Sequence, residues 1–278
     1  MIDLHMHSNA SDGTDSPQEL LQKISESGIN IFALTDHDTI TGALKIREFV
    51  PENIKFLQGI EFSCITGNNC KCHILGLNYD ENNKSFREAI KTGEDLRHAK
   101  FFRRIELLRE KFNISFTDSE IKTLLAIPSV GKPHIANMMI SKGFARTRHE
   151  AIENFIDKCK TGVDRISAEL AINAILDSGG VAVWAHPLGG EGESELPQEK
   201  FIMTLNELIS YGLNGLECYY SKYELAKCES LAEIARSRKL FISGGSDYHG
   251  KNKSIPLGKL NAENILIDAN KITILDIL

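Results

Sequence analysis

The sequence predicts an α/β fold in which strands and helices alternate around a barrel-like sheet, interrupted by a block of helices. Short apolar or β-branched runs alternate with amphipathic helical stretches in the first third of the chain and again after residue 167. Between residues 85 and 158 the apolar residues recur at intervals of three and four, which is the period of a helix. Histidines and acidic residues stand at the ends of several predicted strands, as in a parallel barrel.

Each element has its own signal. In chain order, strands are predicted at residues 2–5, 30–34, 54–60, 73–79, 181–185, 214–218 and 240–243. The first helix is predicted after Ser16 and Pro17, because serine caps helices and proline suits the first helical position, and Gly28 ends it. Further helices are predicted up to residue 49 and at residues 167–178, 198–211 and 223–237. Residues 189–197 read as an acidic loop, and residues 251–278 are too weakly patterned to place.

The helical block divides the predicted architecture into two parts. Residues 1–84 and 159–278 are expected to form the barrel domain, and residues 85–158 a helical insertion domain. A chain of 278 residues is long enough for one barrel-type domain that carries such an insert.

Composition places the chain among ordinary globular proteins, with 42% hydrophobic and 25% charged residues. Its formal net charge of -6 argues against a broad basic surface for duplex DNA, although a local basic pocket for phosphate is compatible with it. Because neither a bilayer-length apolar run nor a signal-peptide pattern is visible, we expect a cytoplasmic protein with no membrane partner. The six cysteines lack the spacing of a disulfide framework and are expected to be free thiols.

Metal-ligating side chains recur where predicted strands end. The chain opens with two imidazoles, His5 and His7, and Asp12 follows them. Further polar residues at such ends are Asp36, His37, Asp38, Glu61, His186, Asp247 and His249. Imidazole and carboxylate without cysteine favour zinc, manganese or iron(II), and the ligands outnumber the four that a single structural zinc needs. The sequence therefore predicts two to three divalent metals in one pocket. His73 is an exception, because it stands at the start of its strand.

The combined motifs resemble the PHP (polymerase and histidinol phosphatase) superfamily of metal-dependent phosphoesterases. The resemblance is carried by DLHMHS (3–8), TDHDT (35–39), GIE (59–61), HILGL (73–77), AHP (185–187) and GSDYH (245–249). KPHIA (132–136) and KTG (160–162) are similar to the branch that contains RNase AM and nucleoside 3′,5′-bisphosphate phosphatases.

The resemblance implies a distorted (β/α)7 barrel that holds three metals. The implied ligands are His5, His7, Glu61 and Asp247 for the first metal, Glu61, His73 and His186 for the second, and Asp12, His37 and His249 for the third. Glu61, His37 and Asp247 would act in catalysis through these metals, with manganese expected in activity and zinc or iron(II) as alternatives. Bound divalent metals lower the pKa of water, which permits in-line attack at phosphorus without a covalent phosphoenzyme.

Residues beside the ligands are expected to have supporting roles. Ser8 and Ser246 are expected to form local hydrogen bonds instead of acting as nucleophiles. Asp36 and Asp38 are expected to orient ligand imidazoles.

The helical insertion is expected to contact the substrate. The candidate phosphate contacts are Lys132, His134 and Lys160, which match the branch, and one of the preceding arginines Arg97, Arg103 and Arg104. Pro133 places His134 at a helix start, where free N–H groups favour an anion.

Three functions then compete. The leading one is hydrolysis of a phosphomonoester on a small nucleotide, such as the 3′-phosphate of adenosine 3′,5′-bisphosphate to give AMP, with 5′ to 3′ trimming of short RNA as a further activity. Histidinol-phosphate phosphatase is the second, and the positive groups of the insertion argue against it. The third is a non-catalytic nucleotide- or metal-binding module, which the full ligand set disfavours. A single tryptophan offers no stacking platform for long RNA.

Overall fold

The computed structural model describes residues 1–162, 165–190 and 194–278. Its strands are β1 (Ile2–Asp3), β2 (Ile31–Leu34), β3 (Lys55–Ile65), β4 (Lys71–Leu77), β5 (Ile166–Ser167), β6 (Val181–Ala185), β7 (Gly215–Tyr220) and β8 (Phe241–Gly245). Among the described residues these eight strands form one sheet in the order β1-β2-β3-β4-β6-β7-β8, with β5 paired to β3. The short strand β5 was not predicted. Three of the residues in the predicted loop 189–197 lie outside the described parts.

The sheet curves into a nearly closed barrel because its first and last strands meet. The Leu4 amide donates to the Gly244 carbonyl at 3.1 Å, and the Asp247 amide donates to the His5 carbonyl at 2.8 Å. The approach is so close that a Cβ on Gly245 would lie 2.2 Å from the Cβ of His5, so only glycine fits there. The predicted α/β barrel class is confirmed.

Strand direction explains the exceptional position of His73. β4 runs antiparallel to both of its neighbours, β3 and β6, whereas the other strand pairs of the described sheet are parallel. The start of β4 therefore lies at the same rim as the end of β6, and His73 is in register with Ala185, the last residue of β6.

The helices surround the barrel. They are α1 (Pro17–Glu26), α2 (Thr41–Arg47), α3 (Lys84–Phe112), α4 (Asp118–Leu125), α5 (Lys132–Ser141), α6 (Arg148–Asn154), α7 (Ala168–Asp177), α8 (Gln198–Ser210) and α9 (Leu225–Ser237). The start of α1 is as predicted, because the Ser16 hydroxyl accepts from the Glu19 amide and the Glu19 carboxylate accepts from the Ser16 amide. None of the helices in the described residues is both long and apolar enough to cross a bilayer.

The third strand differs from its prediction. It was predicted to end before Glu61, whereas β3 continues to Ile65 and places Glu61 in its interior. Residues 55–58 of β3 pair with β2, and residues 59–65 pair with β4 instead. β2 therefore ends before it reaches the level of Glu61. The loop after β2 occupies that position and places His37 beside Glu61.

The helical segment has a hydrophobic core of its own. The first part of α3 packs Phe86 and Ile90 against the barrel core. Its second part contributes Phe101 and Leu108 to a separate cluster with α5. Because α3 contributes residues to both cores, it does not mark a boundary between two domains. The predicted bounds of the insertion, 85–158, stay a prediction. All six cysteines, which lie within the described residues, are buried free thiols.

Candidate metal centre

The nine predicted ligands converge at one rim of the barrel. His5 and His7 follow β1, Asp12 lies in the next loop, His37 follows β2, Glu61 lies within β3, His73 lies near the start of β4, His186 follows β6, and Asp247 and His249 follow β8. Three overlapping groups can be drawn from seven of these residues, and within each group the ligand atoms lie within 4.8 Å of one another: His7, Asp12, His37 and His249; His5, His7 and Glu61; and His37, Glu61 and His73. Residues separated by more than two hundred positions therefore share one pocket, as the strand-end pattern predicts.

Glu61 lies at the centre of this pocket and is almost completely buried. Its Oε2 lies 3.4 Å from His5 Nε2, 3.2 Å from His7 Nε2 and 2.9 Å from His37 Nδ1. Its Oε1 lies 3.0 Å from His73 Nδ1 and 3.2 Å from His186 Nε2. The two oxygens thus face two different sets of nitrogens. Burial alone would raise the pKa of Glu61, but these imidazoles outweigh it and hold that pKa well below its usual value.

Asp247 presents one oxygen to the imidazoles and keeps the other engaged. Its Oδ1 lies 3.6 Å from His5 Nε2 and 3.4 Å from His7 Nε2. Its Oδ2 accepts hydrogen bonds from the Tyr220 hydroxyl at 2.9 Å and from Lys253 Nζ at 2.6 Å. Neither Tyr220 nor Lys253 was predicted from the sequence. Their contacts orient the carboxylate so that Oδ1 is its free ligand atom.

A third group surrounds Asp12. Its Oδ1 lies 3.1 Å from His249 Nε2 and 3.8 Å from His7 Nδ1, and its Oδ2 lies 3.8 Å from His37 Nε2. Burial would raise the pKa of Asp12, but His249 and His37 lower it well below its usual value. Asp12 is therefore an anionic donor at neutral pH.

The hydrogen-bonding state of these side chains fits a metal centre. Five buried atoms that could each bind a metal form no hydrogen bond within the described residues: His5 Nε2, His7 Nε2, Asp12 Oδ1, His37 Nδ1 and Glu61 Oε2. A buried polar atom without a hydrogen bond is unfavourable, so a cluster of such atoms favours a ligand that binds them. Ligands of one metal with bonds of about 2.0–2.2 Å lie roughly 3.0–3.5 Å apart, which matches the spacing around Glu61.

The backbone at this rim is strained. Asp38, His186 and Asp247 have φ values of 50°, 29° and 58°, in the left-handed region that side chains rarely adopt. Each such residue costs of the order of 1–3 kcal/mol and persists where surrounding contacts enforce it, most often at functional sites. Two of the three are predicted ligands.

The serines beside the ligands form the local hydrogen bonds that were predicted, whereas the aspartates do not contact the ligand imidazoles directly. The hydroxyl of Ser8 donates to Asp36 Oδ2 at 2.7 Å, and that of Ser246 donates to Asp3 Oδ2 at 2.6 Å. Asp36, however, accepts from Ser8 and Ser11 and contacts no ligand imidazole in the described residues. Asp38 accepts from the Ser63 amide and from an arginine. Neither aspartate contacts a ligand imidazole directly among the described residues, but Asp36 holds the Ser11 hydroxyl, whose oxygen lies 3.4 Å from His7 Nδ1. The expected orienting role is therefore indirect for Asp36 and is not seen for Asp38.

The carboxylate that orients a ligand imidazole is Glu217, in β7. It is fully buried; its Oε1 lies 2.9 Å from His5 Nδ1, and its Oε2 accepts from the His186 amide at 2.6 Å. It thereby connects the two ligand loops that follow β1 and β6. A single carboxylate inside a predicted apolar strand was the available signal, because a charge is buried in a sheet only when it has partners.

The three candidate arginines occupy different environments. Arg97 lies against Asp38, donating through Nε at 2.9 Å and through Nη2, and it also donates to Ser63 Oγ at 2.9 Å. Arg103 is on the exposed face of α3, where it pairs with Glu106. Arg104 is buried, and its Nε has no hydrogen-bond partner in the described residues.

The other candidate phosphate contacts are Lys132, His134 and Lys160. Lys132 is half exposed and pairs with Asp157 at 2.6 Å. His134 Nδ1 accepts from the Gly131 amide at 2.9 Å, so this nitrogen caps its own helix. Burial lowers the pKa of His134, which keeps its ring neutral. Lys160 lines a cleft of about 760 Å³ that reaches His73 and His186.

The chain is similar to known proteins over most of its length. A family model described as PHP domain matches residues 3–164. The phosphoribosyl 1,2-cyclic phosphate 1,2-diphosphodiesterase of Eggerthella lenta is 28% identical, over 91% of this chain and 96% of the relative. The 5′-3′ exoribonuclease Rnm of Escherichia coli is 29% identical, over 93% of this chain and 88% of the relative. The 3′,5′-nucleoside bisphosphate phosphatase of Chromobacterium violaceum is 25% identical, over 89% of this chain and 87% of the relative.

A solved structure agrees with these relatives. The crystal structure of a candidate metal-dependent phosphoesterase from Bifidobacterium adolescentis superposes with a TM-score of 0.79 and 28% identity, covering 97% of each chain. The similarity therefore extends over the barrel and the helical segment together.

Proposed function

Because this chain belongs to the PHP domain family, we propose that it removes one phosphate from a small nucleotide that carries a second phosphate. The protein is a metal-dependent phosphoesterase. The observation that carries the proposal is the arrangement around Glu61, where buried donor atoms without hydrogen bonds adjoin a cleft lined with cations.

The donor atoms suggest how divalent metals would be shared. Glu61 would bridge two of them, since its Oε2 faces His5 and His7 while its Oε1 faces His73 and His186. Asp247 would complete the first set. Asp12, His37 and His249 would form the third set. Nitrogen and oxygen donors of this kind suit manganese, with zinc or iron(II) as alternatives.

Bound divalent metals would lower the pKa of water and neutralise phosphate oxygens. The protein's own part is to hold the donors in place. Lys253 and Tyr220 fix Asp247, and Glu217 fixes the His5 ring and the backbone of His186. With these groups immobilised, a phosphate enters a site whose charges need little reorganisation.

The cleft beside the centre favours a nucleotide. It is lined by Lys71, Lys160, Arg165 and Lys200, next to the apolar surfaces of Trp184, Pro187 and Leu196. Cationic groups would bind phosphate, and the apolar surfaces would accept a nucleoside. Relatives named for a nucleoside bisphosphate and for RNA support the same substrate class. Adenosine 3′,5′-bisphosphate, with AMP as the product, is therefore the leading substrate.

Short RNA is the second candidate substrate, and the size of the cleft favours it. A volume of about 760 Å³ exceeds the needs of one phosphate group, so a 5′-terminal nucleotide with its neighbour could enter. Histidinol phosphate has a single phosphate and would leave most of these cations without a partner.

Phosphate release tests the proposal. Metal-free protein is reconstituted with manganese and given adenosine 3′,5′-bisphosphate, a short 5′-phosphorylated RNA or histidinol phosphate. We expect metal-dependent release with kcat/KM highest for the bisphosphate or the RNA. A preference for histidinol phosphate would contradict the nucleotide assignment. Absence of hydrolysis of every ester, with metals bound, would instead support a binding module.

A further inference from the structure

The large cleft beside the metal centre has an apolar wall, which is formed by the loop after β6. We call the described parts of this loop, residues 186–190 and 194–197, the cleft wall. Pro187 and Leu196 present apolar surface to the cleft, next to His186. A surface that must become ordered when a ligand binds gives up part of its binding energy. The affinity of the wall for a nucleoside therefore depends on what holds it in place.

The backbone of Leu188 connects the two parts of the cleft wall. Its carbonyl accepts from the Leu196 amide at 2.9 Å. Its amide donates to the hydroxyl of Tyr223 at 2.9 Å, and the same hydroxyl donates to the Gly189 carbonyl at 3.1 Å. Backbone groups that have left a strand need other hydrogen-bond partners, and here one side chain supplies a partner for two of them. The position of Leu196 in the cleft therefore depends on Tyr223.

Tyr223, which follows β7, is held firmly in its turn. Its side chain is buried. Its amide donates to the Tyr220 carbonyl at 2.9 Å, and its carbonyl accepts from the Ala262 amide at 2.8 Å. Its ring packs edge-on against the ring of Tyr220, with the centroids 4.9 Å apart. Because Tyr220 also donates to the predicted ligand Asp247, the Tyr223 hydroxyl holds the cleft wall at a fixed distance from the metal pocket.

Two other contacts of the cleft wall differ from this one. Lys227 pairs with Glu195 at 2.8 Å, but the two side chains are 38% and 62% exposed, and exposed ion pairs contribute little. The His186 amide donates to Glu217 and is thus held without Tyr223. Loss of the Tyr223 hydroxyl should therefore displace the apolar part of the wall and leave the predicted metal ligand in place.

We propose that Tyr223 is a positioning residue that sets the specificity for the nucleoside part of the substrate by fixing the cleft wall. This inference rests on the proposed function, in which the apolar surfaces of the cleft accept a nucleoside. The hydroxyl of Tyr223 bonds Leu188 and Gly189, so it acts through the wall and not on the phosphate. A ligand with a nucleoside needs the wall, whereas inorganic phosphate does not.

Kinetics on adenosine 3′,5′-bisphosphate test this role. Tyr223→Phe is compared with the matched control Tyr219→Phe, which also removes one hydroxyl, but one that donates to Glu229 of α9 at 3.1 Å. We expect Tyr223→Phe to raise KM by about 3- to 10-fold, the range for the loss of one neutral hydrogen bond. Its kcat should stay within about twofold of the wild type, because the interaction holds the substrate equally before and during the reaction. Tyr219→Phe should leave both constants unchanged.

Calorimetry separates the cleft wall from the metal centre. Manganese-loaded wild type and Tyr223→Phe are titrated with AMP and with inorganic phosphate. We expect the variant to bind AMP about 3- to 10-fold more weakly and to bind inorganic phosphate as the wild type does. Should Tyr223→Phe fail to fold, Leu196→Ala trims the same wall and should weaken AMP binding by a similar factor.

The results that would overturn the proposal are distinct. They are unchanged AMP affinity in the wall variant, an equal loss of affinity for AMP and for phosphate, or an unchanged KM for a bisphosphate that the wild type hydrolyses. A wild type that releases no phosphate from the bisphosphate contradicts the proposed function, and the AMP titration still judges the cleft wall. A wild type that binds phosphate but not AMP would overturn the wall as a nucleoside site.

Discussion

The metal pocket and the cationic cavity are neighbours with opposite electrostatic designs. In the pocket every carboxylate faces imidazoles or a lysine, and these partners hold the pKa values of Glu61 and Asp247 well below the usual range. The cavity is a small space between the barrel and the helical segment, and the charged residues that line it are Asp38, Arg97, Lys100, Arg104, Lys132 and Arg165. Its cations outnumber its acidic neighbours: Arg97 pairs with Asp38 and Lys132 pairs with Asp157, whereas Lys100, Arg104 and Arg165 form no ion pair with another described residue. The pocket is thus suited to bind cations, and the cavity is suited to bind an anion. The difference suggests that one region performs the reaction and the other selects the charge of the substrate.

The two regions also differ in how they are supported. The pocket's ligands follow or lie in barrel strands, and buried groups such as Asp3 and Glu217 fix their backbone and rings. The cavity depends on the rotation of α3, which places Arg104 inward and Arg103 outward. Changes in the pocket should therefore affect all substrates, and changes in the cavity should affect only doubly phosphorylated ones.

The largest effect should come from Glu61→Ala. Removing the carboxylate between the two imidazole sets should disconnect the proposed metals and lower kcat by at least about a thousandfold, in line with the loss of several kcal/mol of charge stabilisation. Phosphate release and elemental analysis of bound metal measure the two consequences, with Glu88→Ala as an exposed control. An active Glu61→Ala enzyme with full metal content would break the bridging assignment.

Glu217→Gln should have a moderate effect on every substrate. Its carboxylate lies 2.9 Å from His5 Nδ1 and accepts from the His186 amide. An amide has one acceptor oxygen for these two partners, so its NH2 group must face one of the donors. We expect metal affinity to fall about 10- to 100-fold. Metal titration by competition with a chelator measures this, and unaltered affinity would make Glu217 purely structural.

The strand-end pattern predicted the pocket more fully than the cavity, for a physical reason. Parallel strands end at a common rim, so residues such as His5, His186 and Asp247 can be grouped without knowing any side-chain direction. His73 reaches the same rim because β4 runs antiparallel to its neighbours. The sequence motif around His73 does not indicate the direction of that strand. Sequence spacing therefore predicts which ligands meet, but not which neighbours hold them.

The contacts that were missed depend on tertiary packing. Lys253 reaches Asp247 from a segment with weak patterning, and no periodicity indicates that contact. Arg97, Arg103 and Arg104 are equally plausible along one helix, because their separation depends on which face of α3 the barrel covers. The extended strand β3 was also underestimated, since its partner changes from β2 to β4 at residue 59.

The cavity should also respond to pH. The charged groups that face Lys100 are Arg97 and Arg104 from α3, Lys132 from α5, Arg165 beside β5, and Asp38. Because Lys100 has a pKa lowered to about 8 when the cavity holds no anion, and a bound phosphate raises it, AMP affinity should be constant just below pH 8 and fall above it. Calorimetry from pH 7 to 10 checks this. Lys100→Arg should bind AMP without that decline, and a decline of equal size in this variant would show that Lys100 is not the group that titrates.

The smallest effect should come from Lys132→Ala, and it would sharpen the boundary of the cavity. Lys132 lies at the rim, half exposed, and Asp157 already neutralises it at 2.6 Å. An exposed pair contributes about 0–1 kcal/mol, so KM for the bisphosphate should rise by at most about fivefold, with kcat unchanged. Asp157→Ala is the matched variant: it frees the lysine for phosphate and should leave KM equal or lower it. A rise in KM of about tenfold or more for Lys132→Ala would show that this lysine itself contacts the phosphate. In that case exposure would be a poor guide to which of these cations contacts phosphate.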